Sequence, residues 1–200
     1  KNKVYYIVAG HGGPDPGAIG KSNGHILYED EYAYDISLRL SRLLMQHGAT
    51  VHNIIQDKND GIRDDKILPL DRDEVTIHGD PIPLNQVQRL NQRASIINDL
   101  YWVNRRKGLT DQIVVVLHVD SRHKDHRQDV FFLHHEKSTS GKKLASNLLD
   151  TFTQKYKKYR PSGEYEGEIK TRNLYMLRET LPPTIFIELA NIQNTEDQKR

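Results

Sequence analysis

Four residues that lie far apart in the sequence carry side chains able to bind a metal ion or move a proton. They are His11, Glu29, His118 and Glu188. His11 lies in a glycine-rich segment that directly follows the apolar run 4–8. Because glycine adopts backbone angles that other residues avoid, this segment is typical of a binding loop at the end of a strand. The loop could bind an anion through its amides or present His11 to a metal.

The other three residues suit the same chemistry. His118 follows the β-branched run 113–117, Glu29 comes shortly after the glycine-rich segment, and Glu188 lies inside an apolar run. Two histidines and one carboxylate that leave a coordination position for water make a catalytic zinc arrangement. Burying an unpaired carboxylate is costly, so a catalytic role as general base would explain Glu188.

Each residue also has a purely structural interpretation. His11 could be a turn residue and His118 a hydrogen-bonded histidine at a strand end. Glu29 could be a charge favoured by the dipole at a helix N-terminus. Glu188 could be the buried partner of Arg178 in a salt bridge. The residues alone leave both interpretations open, although four structural explanations at once are harder to sustain than one.

The elements that must position these side chains follow from the apolar pattern. Short apolar or β-branched runs predict strands at 4–8, 49–55, 113–117, 130–134, 173–177 and 184–189. Apolar residues at helical spacing predict helices at 31–47, 84–105 and 140–156. This alternation predicts an α/β fold, a single layered domain with a mostly parallel central sheet flanked by helices. Ligands of such sheets bind at the carboxyl ends of the strands, where the predicted site residues lie.

One segment does not fit the alternation. Residues 56–83 are rich in Asp, Asn, Gly and Pro, and the segment is too long for an ordinary connection in a compact domain. We therefore expect an insertion or lid here, within one domain that spans residues 1–200. The pair His134–His135 and the polar cluster around His123 are expected to be exposed to solvent.

Composition excludes several classes of protein. The chain of 200 residues has no cysteine, so any metal must be held by His, Asp or Glu. Its formal net charge is only +2 and its basic residues form no recognised motif, which argues against nucleic acid as a partner. No apolar stretch approaches the length of about 18 residues expected of a membrane span.

Four blocks of sequence, in order, resemble the zinc-dependent N-acetylmuramoyl-L-alanine amidases of the Amidase_3 family, which cut bacterial peptidoglycan. The blocks are AGHGGPDPGAIG, EDEYAYDISLRL, VVVLHVDS and LPPTIFIELANIQN. The resemblance implies zinc ligands at His11, Glu29 and His118, and a catalytic glutamate at Glu188. Departures from the family pattern include Val8 and Asp120, where the family commonly has an acidic residue and asparagine, and 190–193, which replaces a more usual Gly-Phe-Leu-Ser.

The resemblance also implies an activity and a setting. The expected reaction is hydrolysis of the amide between N-acetylmuramic acid and L-alanine, with Zn²⁺ as cofactor and peptidoglycan or a muropeptide as substrate. A protein activator is a further expected partner. The expected location is extracytoplasmic, in the periplasm or cell wall, after export by a signal peptide that is not in this chain. The alternatives are a non-catalytic peptidoglycan-binding protein on the same fold and a zinc peptidase that cuts a different bond.

Overall fold

A computed structural model describes residues 2–159 and 165–199. The helices are α1 (Glu29–Gln46), α2 (Gln86–Arg106), α3 (Thr139–Tyr159) and the short α4 (Tyr175–Glu179). The strands, in chain order, are β1 (Lys3–Ala9), β2 (Ile19–Ser22), β3 (His25–Tyr28), β4 (Thr50–Asn53), β5 (Ile55–Gln56), β6 (Val75–Thr76), β7 (Asp111–Asp120), β8 (Phe131–His134), β9 (Glu168–Thr171) and β10 (Thr184–Asn191). A 3₁₀ turn, Asp197–Lys199, follows the last strand.

Six of these strands form the central sheet, in the order β4-β1-β7-β10-β8-β9. The first four run parallel to one another, β8 is antiparallel to β10, and β9 is parallel to β8. The predicted α/β fold with a mostly parallel sheet is therefore confirmed. Parallel neighbours bring the carboxyl ends of β1, β7 and β10 to one edge.

Helices cover both faces of the sheet because alternate strand residues point to opposite sides. On one face, Tyr6 and Val116 pack in a buried cluster with Ile97 of α2 and with apolar residues of α4. On the other face, Ile7 and Ile185 pack against apolar residues of α1 and α3. The central strands are buried on both sides, which explains their nearly continuous apolar sequence.

The three predicted helices are confirmed, but the predicted strand at 173–177 is wrong. The chain there enters α4, and the strand lies earlier, at β9. A short apolar run fits either element, and Met176 and Leu177 bury their side chains from a helical turn. The β2-β3 hairpin was not predicted either. Its turn residues Asn23 and Gly24 both have positive φ, 48° and 83°, as an Asn-Gly hairpin turn requires.

The segment that interrupts the alternation packs on α1. It runs from the two-residue strand β5 to its antiparallel partner β6. Glu31 accepts a hydrogen bond from the Asp71 amide at 2.9 Å and pairs with Arg63 at 3.0 Å. Asp35, one turn further along the helix, accepts from the Arg63 amide at 2.8 Å. The segment is thus attached to the first turns of α1.

Within the described residues, no helix has both the length and the apolarity needed to cross a membrane.

Candidate metal centre

His11 is positioned by the loop that follows β1. The amide of Gly10 still donates to the Leu117 carbonyl of β7 at 2.8 Å, and the chain then turns at His11, whose φ is 60°. A Cβ atom at Gly10 would lie 2.5 Å from the imidazole of His118. Glycine is therefore required at this position so that the end of β1 can approach the histidine on the neighbouring strand.

Glu29 begins α1 and lies between the two histidines. Its Oε1 is 2.8 Å from Nδ1 of His118, and its Oε2 is 3.1 Å from Nε2 of His11. The same oxygens accept hydrogen bonds from the amides of Val119 at 3.0 Å and Ala18 at 2.8 Å. Burial by itself would raise the pKa of Glu29, but the hydrogen bonds from both histidines outweigh it and hold the pKa well below its usual range. The carboxylate is thus fixed and charged.

The two imidazoles lie edge to face. The ring centroids of His11 and His118 are 4.8 Å apart with an angle of 81° between the ring planes. One potential ligand atom from each of His11, Glu29 and His118 lies within 4.8 Å of the other two. The structure thus brings together the three residues that the sequence singled out. Their role as metal ligands stays a prediction.

A further carboxylate orients His11. Oδ2 of Asp15 is 2.9 Å from Nδ1 of His11, on the opposite side of the ring from Glu29. Arg89 of α2 pairs with the same Asp15 oxygen at 2.5 Å. The hydrogen bond to His11 is the main reason why the pKa of Asp15 lies well below its usual value. Arg93, also on α2, donates to the His11 carbonyl.

Asp15, Arg89 and Arg93 were missed in the sequence. A carboxylate four residues after a candidate ligand was the available signal for Asp15. The two arginines come from a distant helix, and the sequence pattern does not show which way they face.

Glu188 lies on β10 directly beside His118 of β7 in the strand register. Its Oε2 is buried, and no hydrogen bond reaches it from the described part of the chain. Burial raises the pKa of Glu188 to about 8, and the negative charges of Asp120 and Glu29 add to the effect. Arg178, considered above as its salt-bridge partner, instead pairs with Glu179 at 2.6 Å. The arrangement leaves an acidic group beside the three clustered side chains.

The strand becomes irregular just after Glu188. The pairing with β7 shifts between Glu188 and Asn191, and Ala190 has a φ of 80°. This is a left-handed conformation that favours glycine. Ala190 stands at the position where the family pattern more usually has glycine.

A cavity of about 290 Å³ opens beside Glu188 and His118. Phe186 forms part of its wall and stacks on the His118 ring, with the centroids 4.4 Å apart and the planes 13° apart. The lining also includes the basic residues Arg122 and Arg172. The cavity is large enough to hold part of a substrate next to the candidate metal centre.

The remaining histidines gave mixed outcomes. His123 is exposed, as expected. His134 was expected to be exposed, and that prediction is wrong. It is 5% exposed, and its Nδ1 is 2.9 Å from the His135 carbonyl. The sequence pattern understated how deeply the end of β8 is covered by α3.

Comparison with known families agrees with this geometry. Residues 6–200 match the model of Amidase_3, described as N-acetylmuramoyl-L-alanine amidase. The chain belongs to the Amidase_3 family. The resemblance found in the sequence motifs is confirmed, and membership places this Amidase_3 protein among the amidase enzymes. No curated protein sequence matches the chain at a significant level.

Solved structures share the fold of this Amidase_3 protein. The N-acetylmuramoyl-L-alanine amidase AmiC2 of Nostoc punctiforme is 21% identical with a TM-score of 0.64, over 100% of this chain and 85% of its own. The CwlD amidase from Clostridioides difficile, solved in complex with the GerS lipoprotein, is 18% identical with a TM-score of 0.66, over 98% and 86%. Cwp6 from Clostridium difficile is 23% identical with a TM-score of 0.67, over 98% of this chain and 26% of its own.

Proposed function

We propose that this protein hydrolyses the amide between N-acetylmuramic acid and L-alanine in bacterial peptidoglycan, with Zn²⁺ held by His11, Glu29 and His118. The observation that carries the proposal is the meeting of two imidazoles and one buried carboxylate beside Glu188. Family membership supplies the reaction class, and this cluster supplies side chains that suit it. Residues 1–200 would then form one catalytic domain.

The donor set fits a catalytic zinc ion. Two imidazole nitrogens and one carboxylate oxygen are typical zinc ligands, and three protein ligands leave a position free for water. Both oxygens of Glu29 face the imidazoles, at 2.8 Å and 3.1 Å. Asp15 holds the opposite nitrogen of His11, as a carboxylate commonly does behind a zinc-bound histidine. His11, Glu29 and His118 would hold the ion, which would supply Lewis-acid chemistry at the scissile carbonyl and a lowered pKa of water.

Glu188 would move the protons of the reaction. Its carboxylate would accept a proton from the attacking water and return that proton to the departing amine of L-alanine. Burial of its carboxyl and the nearby negative charges of Asp120 and Glu29 favour the protonated form that the second step requires. Glu188 is paired with His118 in the register of β10 and β7, so the acidic group lies beside the cluster.

The setting and partners of the reaction belong to the same proposal. Because peptidoglycan lies outside the cytoplasmic membrane, the protein would act there, in the periplasm or the cell wall. The CwlD amidase was solved together with a lipoprotein, which supports a protein activator for this chain as well. The segment 56–83 would be an insertion that serves as a lid or as the docking site of that activator.

The deciding experiment is mass spectrometry of purified peptidoglycan fragments after incubation with the protein. We expect peptides with a new amino terminus at L-alanine, lost with a chelator and restored by zinc. The Glu188→Gln variant, with zinc retained, is the matched control and should release these peptides at least about 100-fold more slowly. Binding without new amines would indicate a non-catalytic wall-binding protein, and cleavage between two amino acids would indicate a peptidase. Either result would refute the proposal.

A further inference from the structure

The cavity beside Glu188 is lined by both acidic and basic residues. Its lining includes His118 and Glu188 together with the cationic residues Arg122, Lys170 and Arg172. Arg122 comes two residues after the end of β7, whereas Lys170 belongs to β9 and Arg172 follows β9 directly. Three cationic residues therefore line a cavity of about 290 Å³ together with the group that would protonate the leaving amine.

Two of the three cations are already paired. Nε of Arg122 lies 2.6 Å from Oδ2 of Asp120, which also lines the cavity. Lys170 pairs with Glu168 at 2.6 Å, and its Nζ lies 3.9 Å from the centre of the Phe131 ring.

Arg172 differs from these two residues. Its amide donates to the His134 carbonyl at 3.0 Å, which fixes the backbone beside β8. Its guanidinium has no ion pair within residues 2–159 and 165–199. A guanidinium binds a carboxylate through two parallel hydrogen bonds. Arg172 is therefore the cation in this cavity that can take an anion without first releasing another partner.

The chemistry of the proposed reaction indicates which side of the substrate brings an anion. On the glycan side, the lactyl carboxyl of N-acetylmuramic acid is consumed in the scissile amide, and the N-acetyl sugars are otherwise neutral. On the leaving side, the amine belongs to L-alanine, and the peptide that begins there must end in a carboxyl group. Glu188, which would return the proton to that amine, lines the same cavity as the three cations.

We infer that this cavity binds a carboxylate of the stem peptide on the leaving side of the scissile amide, and that Arg172 is the residue that selects for it. The inference rests on the proposed function and specifies the substrate class of the same site. Lys170 and Phe131 form the adjoining wall. A substrate whose peptide carboxyls are converted to carboxamides loses the ion pair with Arg172.

The test compares two synthetic substrates, N-acetylmuramoyl-L-Ala-D-Glu and the same compound with both peptide carboxyls as carboxamides. We expect the wild-type protein to prefer the acid by about 10-fold in kcat/KM, mainly through KM, as befits one charged hydrogen-bond partner. Arg172→Gln should lose about 10-fold on the acid and nothing on the carboxamide, so that the preference disappears. Arg172→Lys keeps the charge and should keep part of the preference.

Arg178→Gln is the matched control because it removes the same charge from α4, where Arg178 pairs with Glu179 outside the cavity. This variant should leave kcat/KM unchanged on both the acid and the carboxamide substrate. If Arg172→Gln matches the wild type on both substrates, or falls equally on both, the inference is wrong. Calorimetric binding of the peptide L-Ala-D-Glu and of its diamide gives a readout that needs no turnover. Binding of the acid that depends on Arg172, with no hydrolysis, would refute the proposed function and retain the inference.

Discussion

Replacing Glu188 by Gln should make the metal-free protein more stable at alkaline pH. Oε2 of Glu188 is buried without a hydrogen bond from the described residues, and burial raises the pKa of the carboxyl from 4.5 to about 8. Between these two values the folded protein keeps a proton that the unfolded chain releases. Stability therefore falls as pH rises through this window, because the folded state binds more protons than the unfolded state. Glutamine is uncharged at every pH and removes this dependence.

The size of the effect follows from the two pKa values. One proton of difference changes the free energy of unfolding by about 1.4 kcal/mol per pH unit, so the carboxyl can cost the fold about 3.5 kcal/mol between pH 5 and 8. Solvent reaches part of the Glu188 side chain. Screening lowers the effect, and we expect about 1 to 3 kcal/mol.

The assay is denaturant unfolding of chelated wild-type and Glu188→Gln protein at pH 5 and pH 8. The difference between the two proteins cancels the contributions of other buried acids such as Asp30 and Glu74, whose pKa values are also raised. The variant should gain stability relative to the wild type at pH 8 and little at pH 5. If the difference in the free energy of unfolding between the two proteins is the same at pH 5 and at pH 8, the reasoning is refuted. With zinc present, the same variant should bind the metal normally and lose about 10²- to 10⁴-fold in activity.

Three further substitutions test the construction of the site. Gly10→Ala places a Cβ 2.5 Å from the His118 imidazole and should reduce bound zinc at least several-fold in metal analysis. Gly61→Ala is the control, because a Cβ there meets nothing within 4 Å, and it should leave the zinc content unchanged. Equal zinc contents in the two variants would contradict this prediction. Asp15→Asn should lower zinc affinity by about 10- to 100-fold in chelator competition, and an unchanged affinity would mean that the ring is held by other contacts. Ala190→Gly relieves a φ of 80° and should raise the free energy of unfolding by about 1 kcal/mol; a loss of stability would show that the left-handed turn costs nothing.

Much of the fold could be predicted because its central strands and long helices repeat one local pattern. A β-branched run such as 113–117 is compatible with a covered parallel strand, and the regular apolar spacing of α1 and α2 sets their inner faces. Strand ends that share an edge then bring His11, His118 and Glu188 together, whatever their separation in sequence. Glu29 was predicted from the resemblance and from its place at the start of a helix.

Other features depend on tertiary contacts that no local pattern specifies. The short apolar run at 173–177 fits a strand or a helical turn equally well, and its packing against α2 and β10 decides for α4. Arg89 and Arg172 are two charged residues in polar surroundings, and nothing nearby in sequence distinguishes them from exposed ones. Their relevance arises from neighbours that are contributed by other elements.

The attachment of segment 56–83 to α1 couples the binding of a protein to that segment with the binding of a metal at Glu29. Glu31, which holds the Arg63 side chain and the Asp71 amide, lies two residues after Glu29 on the same helical turn. Anything that docks on segment 56–83 and shifts that turn also moves the carboxylate between the two imidazoles. If the proposed zinc ion binds there, thermodynamic reciprocity requires that it alter the affinity of such a docking protein by the same factor by which the protein alters the affinity for zinc.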